Sequence, residues 1–72
     1  MLISEAIIRR FTRELRAFGY EALEYGTVRE AARNHIAGNK PTGDVIFVFV
    51  TDWLTDIEDA VGKKFTEVES ES

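Results

Sequence analysis

The feature that most constrains this chain is an uninterrupted apolar run, VIFVFV, at residues 45–50. The run is β-branched and aromatic throughout, and it lies between Gly43 and Thr51-Asp52. Six apolar residues without polar alternation are typical of a strand that is covered on both faces. The sequence therefore predicts an interior β-strand over residues 45–50, with helices or a partner molecule on each face.

A first helix is predicted from about Ser4 to Phe18. Ser4 is a suitable N-cap, and Glu5 is favourable in the first turn. Apolar residues recur at three- and four-residue spacing and indicate one core-facing stripe. The residues of that stripe are Ile3, Ile7, Phe11, Leu15 and Phe18.

Two further helices are predicted from capping-box patterns, in which a Ser or Thr precedes a Glu by three residues. Thr27 and Glu30 match this pattern and predict a second helix that ends at Gly38. Thr55 and Glu58 match it again, so a third helix is expected to begin at about Asp52 or Thr55.

Together these elements predict an α+β fold in the order α–β–α–β–α, with two or three short strands packed by three helices. The other strands are expected at residues 20–25 (YEALEY) and near residues 65–68. A chain of 8.2 kDa is one small domain, predicted here over residues 1–66. Residues 67–72 (EVESES) are acidic and of low complexity, and they predict a disordered tail.

The composition argues against several kinds of chemistry. The chain has no Cys and one His, which excludes disulfides and thiolate or His-rich metal sites. The serines are Ser4, Ser70 and Ser72, all at the termini, where a Ser–His–Asp triad cannot be built. We therefore expect a protein without catalytic residues, cofactor or metal.

One segment resembles part of an enzyme family. Glu5 and Glu14 on a helix, followed by Pro41-Thr42-Gly43-Asp44 before an apolar strand, are similar to the first half of a PD-(D/E)xK nuclease core. That family holds magnesium with the Asp and a following (D/E)-x-K triplet. No such triplet follows Asp44. The alternatives are that the chain is a degenerate nuclease fragment or that Asp44 is simply a turn residue.

The net charge of −4 is distributed unevenly. Residues 1–36 contain six Arg and five Glu, whereas residues 37–72 contain three Lys and eight acidic residues. General nucleic-acid binding requires a basic footprint, so this balance disfavours it. The apolar run is far shorter than the ~20 residues of a membrane span, and no signal-peptide pattern precedes it. A cytoplasmic protein without membrane contact is expected.

Two charged rows are candidate partner-binding sites, with solvated helix faces as the alternative for each. The Arg row, on the first helix, could dock an acidic partner or phosphate, because Arg binds both bidentately. The Asp row, on the third helix, could mimic phosphates or meet an Arg row in a second molecule. Trp53 is either a core residue or an interface anchor. The candidate residues are Arg9, Arg13 and Arg16 (the Arg row), Asp52, Asp56 and Asp59 (the Asp row), and Trp53.

Two further titratable residues lie near apolar stripes. Glu14 is expected at the stripe's edge, paired with Arg10, or alternatively as a partly buried carboxylate with a raised pKa. His35 falls on the apolar side of the second helix and is expected to bond to backbone, with a pH-sensitive contact as the alternative.

These patterns predict a small acidic, non-enzymatic protein that acts by protein–protein contact, as a regulator, inhibitor or adaptor. By general analogy, such proteins include those encoded by phages and mobile elements. A homodimer is expected, because it would cover the apolar strand. The alternative function is nucleic-acid association through the Arg row.

Overall fold

The structure is a computed structural model that describes residues 1–40 and 43–69. Its elements are three helices: α1 (Glu5–Ala17), α2 (Tyr25–Ile36) and α3 (Val45–Val61). No strand occurs in these two described ranges, where a single parallel bridge joins Ile3 to Val68. The predicted α+β fold is therefore wrong, and the protein is a three-helix structure.

The apolar run at residues 45–50 is the first part of α3, so the predicted interior strand is wrong. Asp44 begins the helix, because its Oδ1 accepts hydrogen bonds from the backbone N–H groups of Ile46 (2.9 Å) and Phe47 (3.2 Å). No Gly or Pro follows until Gly62, so the helix continues through residues 52–55, where the sequence predicted its start. Its buried face follows helical spacing and comprises Phe47, Val50, Leu54 and Glu58.

Helix α1 begins as predicted, since the Ser4 hydroxyl accepts a hydrogen bond from Ile7 N. Its buried face is rotated from the predicted stripe and comprises Glu5, Ile8, Thr12 and Leu15. Ile3 and Leu15 are buried as expected, but Ile7 is 39% exposed and Phe18 is 83% exposed. Most of the predicted stripe therefore lies at or beyond the edge of the core.

The strand predicted at residues 20–25 is a turn followed by the first residue of α2. Tyr20 N donates to Leu15 O, and Leu23 N donates to Tyr20 O, which folds this segment back on α1. Helix α2 then begins at Tyr25 with Glu24 as its N-cap, so the capping box predicted at Thr27 is wrong. The helix ends at Ile36, close to the predicted end at Gly38.

The core forms around α2, which packs against both other helices. Small residues on α2, such as Ala31 and Ala32, allow the other two helices to pack closely against it. Helices α1 and α3 contact each other through Phe11 and Trp53, whose stacked ring centroids lie 4.0 Å apart. Tyr20 follows Phe11 in the chain, but its partner Phe49 precedes Trp53, the partner of Phe11. Helices α1 and α3 therefore run in opposite directions. The buried apolar residues are Ile3, Ile8, Leu15, Val28, Ala31, Ala32, Phe47, Val50, Leu54 and Phe65.

The two ends of the described chain pair with each other. Thr66 N donates to Met1 O (2.8 Å), Ile3 N donates to Glu67 O (3.0 Å), and Glu69 N donates to Ile3 O (3.0 Å). The strand predicted near residues 65–68 is thus reduced to one bridge. Of the tail predicted over residues 67–72, residues 67–69 carry these contacts and residues 70–72 lie outside the described residues.

Candidate functional site

An apolar surface lies where α1 and α3 meet, and we call it the aromatic seam. Its interior is the parallel Phe11–Trp53 stack, and next to this Tyr20 contacts Phe49 edge-on with ring centroids 5.8 Å apart. Ile7 lies one helical turn before Phe11 on the same side of α1. The seam comprises Ile7, Phe11, Phe18, Tyr20, Phe49 and Trp53.

The aromatic seam is only partly withdrawn from water. Phe18 is 83% exposed, Phe49 is 41% exposed and Ile7 is 39% exposed. Phe11, Tyr20 and Trp53 are partly buried. Trp53 thus takes a position between the two predicted alternatives, stacked inside the protein with an edge at the surface. Aromatic residues that are left in water at one surface are typical of a binding site.

The outer face of α3 flanks the aromatic seam and has two halves. Val45 and Val48 make its first half apolar and exposed. The Asp row occupies the second half, where Asp52, Asp56 and Asp59 are all exposed, as the sequence predicted for a polar face. These carboxylates lie on the side of α3 opposite its buried face, so they are directed away from α2.

The Arg row lies on the side of α1 nearest α2. Arg9, Arg13 and Arg16 line one depression of about 190 Å³, together with Thr12 and Tyr25. The Arg9 guanidinium lies 4.5 Å from the centre of the Tyr25 ring, and Arg16 Nε donates to Leu23 O at 2.6 Å. The structure therefore brings the three arginines together with an aromatic residue that the sequence reasoning did not associate with them.

The Arg row and the Asp row are on different helices, and neither Arg13 nor Arg16 forms an ion pair with the Asp row in the described part of the chain. Helix α1 contains four Arg and two Glu, a net charge of +2. Helix α3 contains three Asp, one Glu and no basic residue, a net charge of −4. The two helices that border the aromatic seam thus have opposite charge.

Of the two carboxylates on α1, the buried one is Glu5 and not Glu14. Glu14 is exposed and pairs with Arg10 at 3.4 Å, which confirms the predicted pairing. Glu5 Oε1 lies 2.8 Å from Arg29 Nε on α2, but the two groups are not aligned as a hydrogen bond. The burial of Glu5 could have been predicted from its spacing, since Glu5, Ile8 and Thr12 lie on one face of the helix.

A second buried carboxylate, Glu58 on α3, joins α2 to the C-terminal segment. Glu58 Oε1 lies 2.9 Å from His35 Nε2, and Glu58 Oε2 accepts a hydrogen bond from Phe65 N at 2.7 Å. Burial alone would raise the pKa of Glu58, but the hydrogen bonds from His35 and Phe65 outweigh it, and the pKa lies below its usual value. His35 was expected to bond to the backbone, but its partner is the Glu58 carboxylate.

The Glu58 cluster borders a depression of about 560 Å³ that Lys63 and Lys64 also line. A His–carboxylate pair can act as a general base in enzymes. Here both carboxylate oxygens are held by His35 and by the Phe65 backbone, so the arrangement acts as a clamp on the C-terminal segment.

The described residues do not assemble the nuclease or metal sites that the sequence raised. Asp44 caps α3 instead of preceding a strand, so the resemblance to a nuclease core loses the strand on which it depended. Among residues 1–40 and 43–69, no group of three or more His, Cys, Asp or Glu side chains could hold a metal ion. None of the helices described is long and apolar enough to span a membrane.

Comparison with known proteins identifies no relative: no family profile, curated protein or solved structure matches this chain.

Proposed function

We propose that this chain is a non-enzymatic protein that acts by protein–protein contact and associates with a second copy of itself through the aromatic seam. The observation that carries the proposal is the exposure of Phe18, Phe49 and Ile7 beside the Phe11–Trp53 stack. A second copy would remove these side chains from water, and full burial of one large apolar side chain is worth about 1.5–3 kcal/mol.

Charge complementarity favours a second copy of the chain over an unrelated partner. Because α1 and α3 border the same seam, a two-fold axis parallel to the helices places α1 of each copy over α3 of the other. This arrangement brings the exposed Asp row of α3 towards Arg10, the exposed arginine that lies beside Ile7 and Phe11 on α1, at two symmetric places. The opposite two-fold arrangement, with α1 over α1 and α3 over α3, brings like charges together.

The proposal is tested by the molar mass in solution. Light scattering after size-exclusion chromatography is expected to give twice the 8.2 kDa of one chain, falling towards a single chain on dilution. Because Phe18 is largely exposed in the single chain, Phe18→Ser should preserve the fold while raising the dissociation constant of the dimer roughly tenfold or more.

A matched control is Val61→Ser. Val61 is 51% exposed at the last turn of α3, ~18 Å along the helix from Phe49. The Val61→Ser substitution should leave the molar mass in solution unchanged. Trp53 fluorescence gives a second readout, because dilution should shift its emission to longer wavelength as the seam meets water. A wild-type protein that stays monomeric at high concentration, or equal effects of the two substitutions, would refute the proposal.

A further inference from the structure

We infer that Phe18 of each copy anchors in an apolar depression of the other copy, at the pole where α1 ends and α3 begins. This inference rests on the proposed dimer and names the contact that fixes how the two copies fit together. One aromatic side chain would then be held at each of two symmetric places, as is typical of the residues that dominate binding energy.

Phe18 is an exposed aromatic residue whose backbone is held in place. It follows the last residue of α1, and its N–H donates to Glu14 O (3.2 Å) and Leu15 O (3.1 Å). It is 83% exposed, more than any other large apolar residue in the described part of the chain. An apolar side chain that projects from a fixed backbone loses less conformational entropy when it binds.

The depression lies between the turn after α1 and the start of α3, and its volume is about 320 Å³. A closed cavity of about 150 Å³ accommodates benzene, so this depression has room for a phenyl ring. Phe18 does not line the depression of its own chain and can therefore enter that of a second copy. The apolar residues that line the depression are Tyr20, Ala22, Leu23, Val45 and Ile46.

The walls of the depression are held in place by hydrogen bonds. Leu23 N donates to Tyr20 O (2.9 Å), and Arg16 Nε donates to Leu23 O (2.6 Å), which fixes the turn after α1. The opposite wall is the first turn of α3, which the Asp44 side chain caps. Since Tyr20 also belongs to the aromatic seam, the seam and the depression form one continuous surface.

The height of Phe18 along the helices matches the height of the depression. Phe11 and Trp53 are stacked and therefore lie at one height. Phe18 follows Phe11 by seven residues and Ile46 precedes Trp53 by seven, which is ~10 Å along each helix. Because α1 and α3 run in opposite directions, Phe18 and Ile46 lie at the same height. A two-fold axis parallel to the helices preserves this height, so placing α1 over α3 of the other copy brings Phe18 to the depression.

The charged residues at the depression favour an aromatic occupant over an acidic partner. Glu21 and Asp44 also line it. The edge of an aromatic ring carries a positive partial charge, so a phenyl ring is compatible with neighbouring carboxylates. An acidic side chain would be repelled by them.

Intermolecular NOEs in the wild-type protein test the contact directly. In a mixture of isotope-labelled and unlabelled chains, the Phe18 ring protons of one copy should show NOEs to the methyl groups of Ala22, Leu23 and Val45 of the other. Ala22→Trp should fill the depression and raise the dissociation constant of the dimer roughly tenfold, measured by sedimentation on dilution. Adding Ala22→Trp to Phe18→Ser should cause little further loss, because both substitutions remove the same contact.

Ala37→Trp is the matched control. Ala37 is an exposed alanine at the C-terminal end of α2 and does not line the depression. This substitution should leave the dissociation constant unchanged.

Failure of the anchoring and failure of the dimer give different results. Wild-type chains that stay monomeric would remove the dimer and the anchoring together. A dimer in which the Phe18 ring shows intermolecular NOEs to α1 of the other copy instead would overturn the anchoring alone, as would equal effects of Ala22→Trp and Ala37→Trp. The NOE measurement needs no substitution, so it decides the question if either Trp variant loses its helical circular dichroism.

Discussion

At the scale of single residues, Glu58 has the most consequence for stability. The residue is 9% exposed, and its carboxylate contacts His35 of α2 with one oxygen and the Phe65 backbone with the other. Through Phe65 it positions the segment that pairs with the N-terminus. One ionised side chain thus links α2, α3 and the C-terminal segment.

The lowered pKa of Glu58 predicts a dependence of stability on pH. Because the folded state binds a proton less readily than the unfolded state, the stabilisation is fully present above the unfolded pKa. It is lost as the pH falls through the lower, folded pKa. We expect Glu58→Gln to reduce the free energy of unfolding by about 1–3 kcal/mol at neutral pH, and the difference from wild type to shrink below about pH 4.

Urea unfolding followed by circular dichroism at a series of pH values measures this difference. Asp59→Asn removes an exposed carboxylate next in sequence and should change stability by less than about 0.5 kcal/mol. A Glu58→Gln effect that is constant into strong acid would contradict the assignment.

At the scale of elements, α3 shows why a continuous apolar run is ambiguous. Periodicity alone cannot distinguish a buried strand from a buried helix when all six residues are apolar. The deciding information lay outside the run. Asp44 provides a cap, no helix breaker follows before Gly62, and Phe47, Val50 and Leu54 have helical spacing. Packing against α2 overrides the weak helix propensity of the β-branched residues.

The helical state of residues 45–50 can be checked directly. We expect positive secondary Cα chemical shifts without interruption from Val45 to Val61, since the helix described here has no break. The segment at residues 20–23 should give no sustained strand pattern, and α1 provides an internal reference for helical shifts. Negative secondary Cα shifts over residues 45–50 would contradict the fold.

Helix α1 was easier to predict, because its signals are local. The Ser4 cap and the Arg10–Glu14 pair depend on residues three and four positions apart, and both are present. The direction of its buried face was predicted incorrectly. That face depends on Glu5 and Thr12, a carboxylate near Arg29 and a hydroxyl bonded to Ile8 O, which hydrophobic periodicity does not detect.

At the scale of the whole molecule, the pairing of the two chain ends closes the core. Ile3 is completely buried although it lies outside all three helices, and its backbone bonds to Glu67 and Glu69. No local pattern indicates this contact, because its partners are more than 60 positions apart. The depression lined by the Arg row and Tyr25 could not be predicted from the sequence either, because the turn between α1 and α2 brings Tyr25 next to the arginines.

The closure by Ile3 predicts a large effect from a small truncation. Ile3→Ala should lower the free energy of unfolding by about 2–5 kcal/mol, because it leaves a cavity beneath the paired ends. Leu2→Ala is the control at the neighbouring position, where the side chain is 47% exposed, and it should cost much less. Urea unfolding measures both, and equal costs would show that the ends are not packed as described.

The pairing of residues 1–3 with residues 64–69 also determines where a tag or linker can be attached to the molecule. Residues 1–3 and 64–69 lie at the pole where α1 begins, and Phe18 lies at the opposite pole, ~20 Å away along the helix. A tag, a dye or a surface linker fused to either end would thus leave Phe18 accessible. Two such molecules could be tethered end to end with their aromatic seams still free to meet.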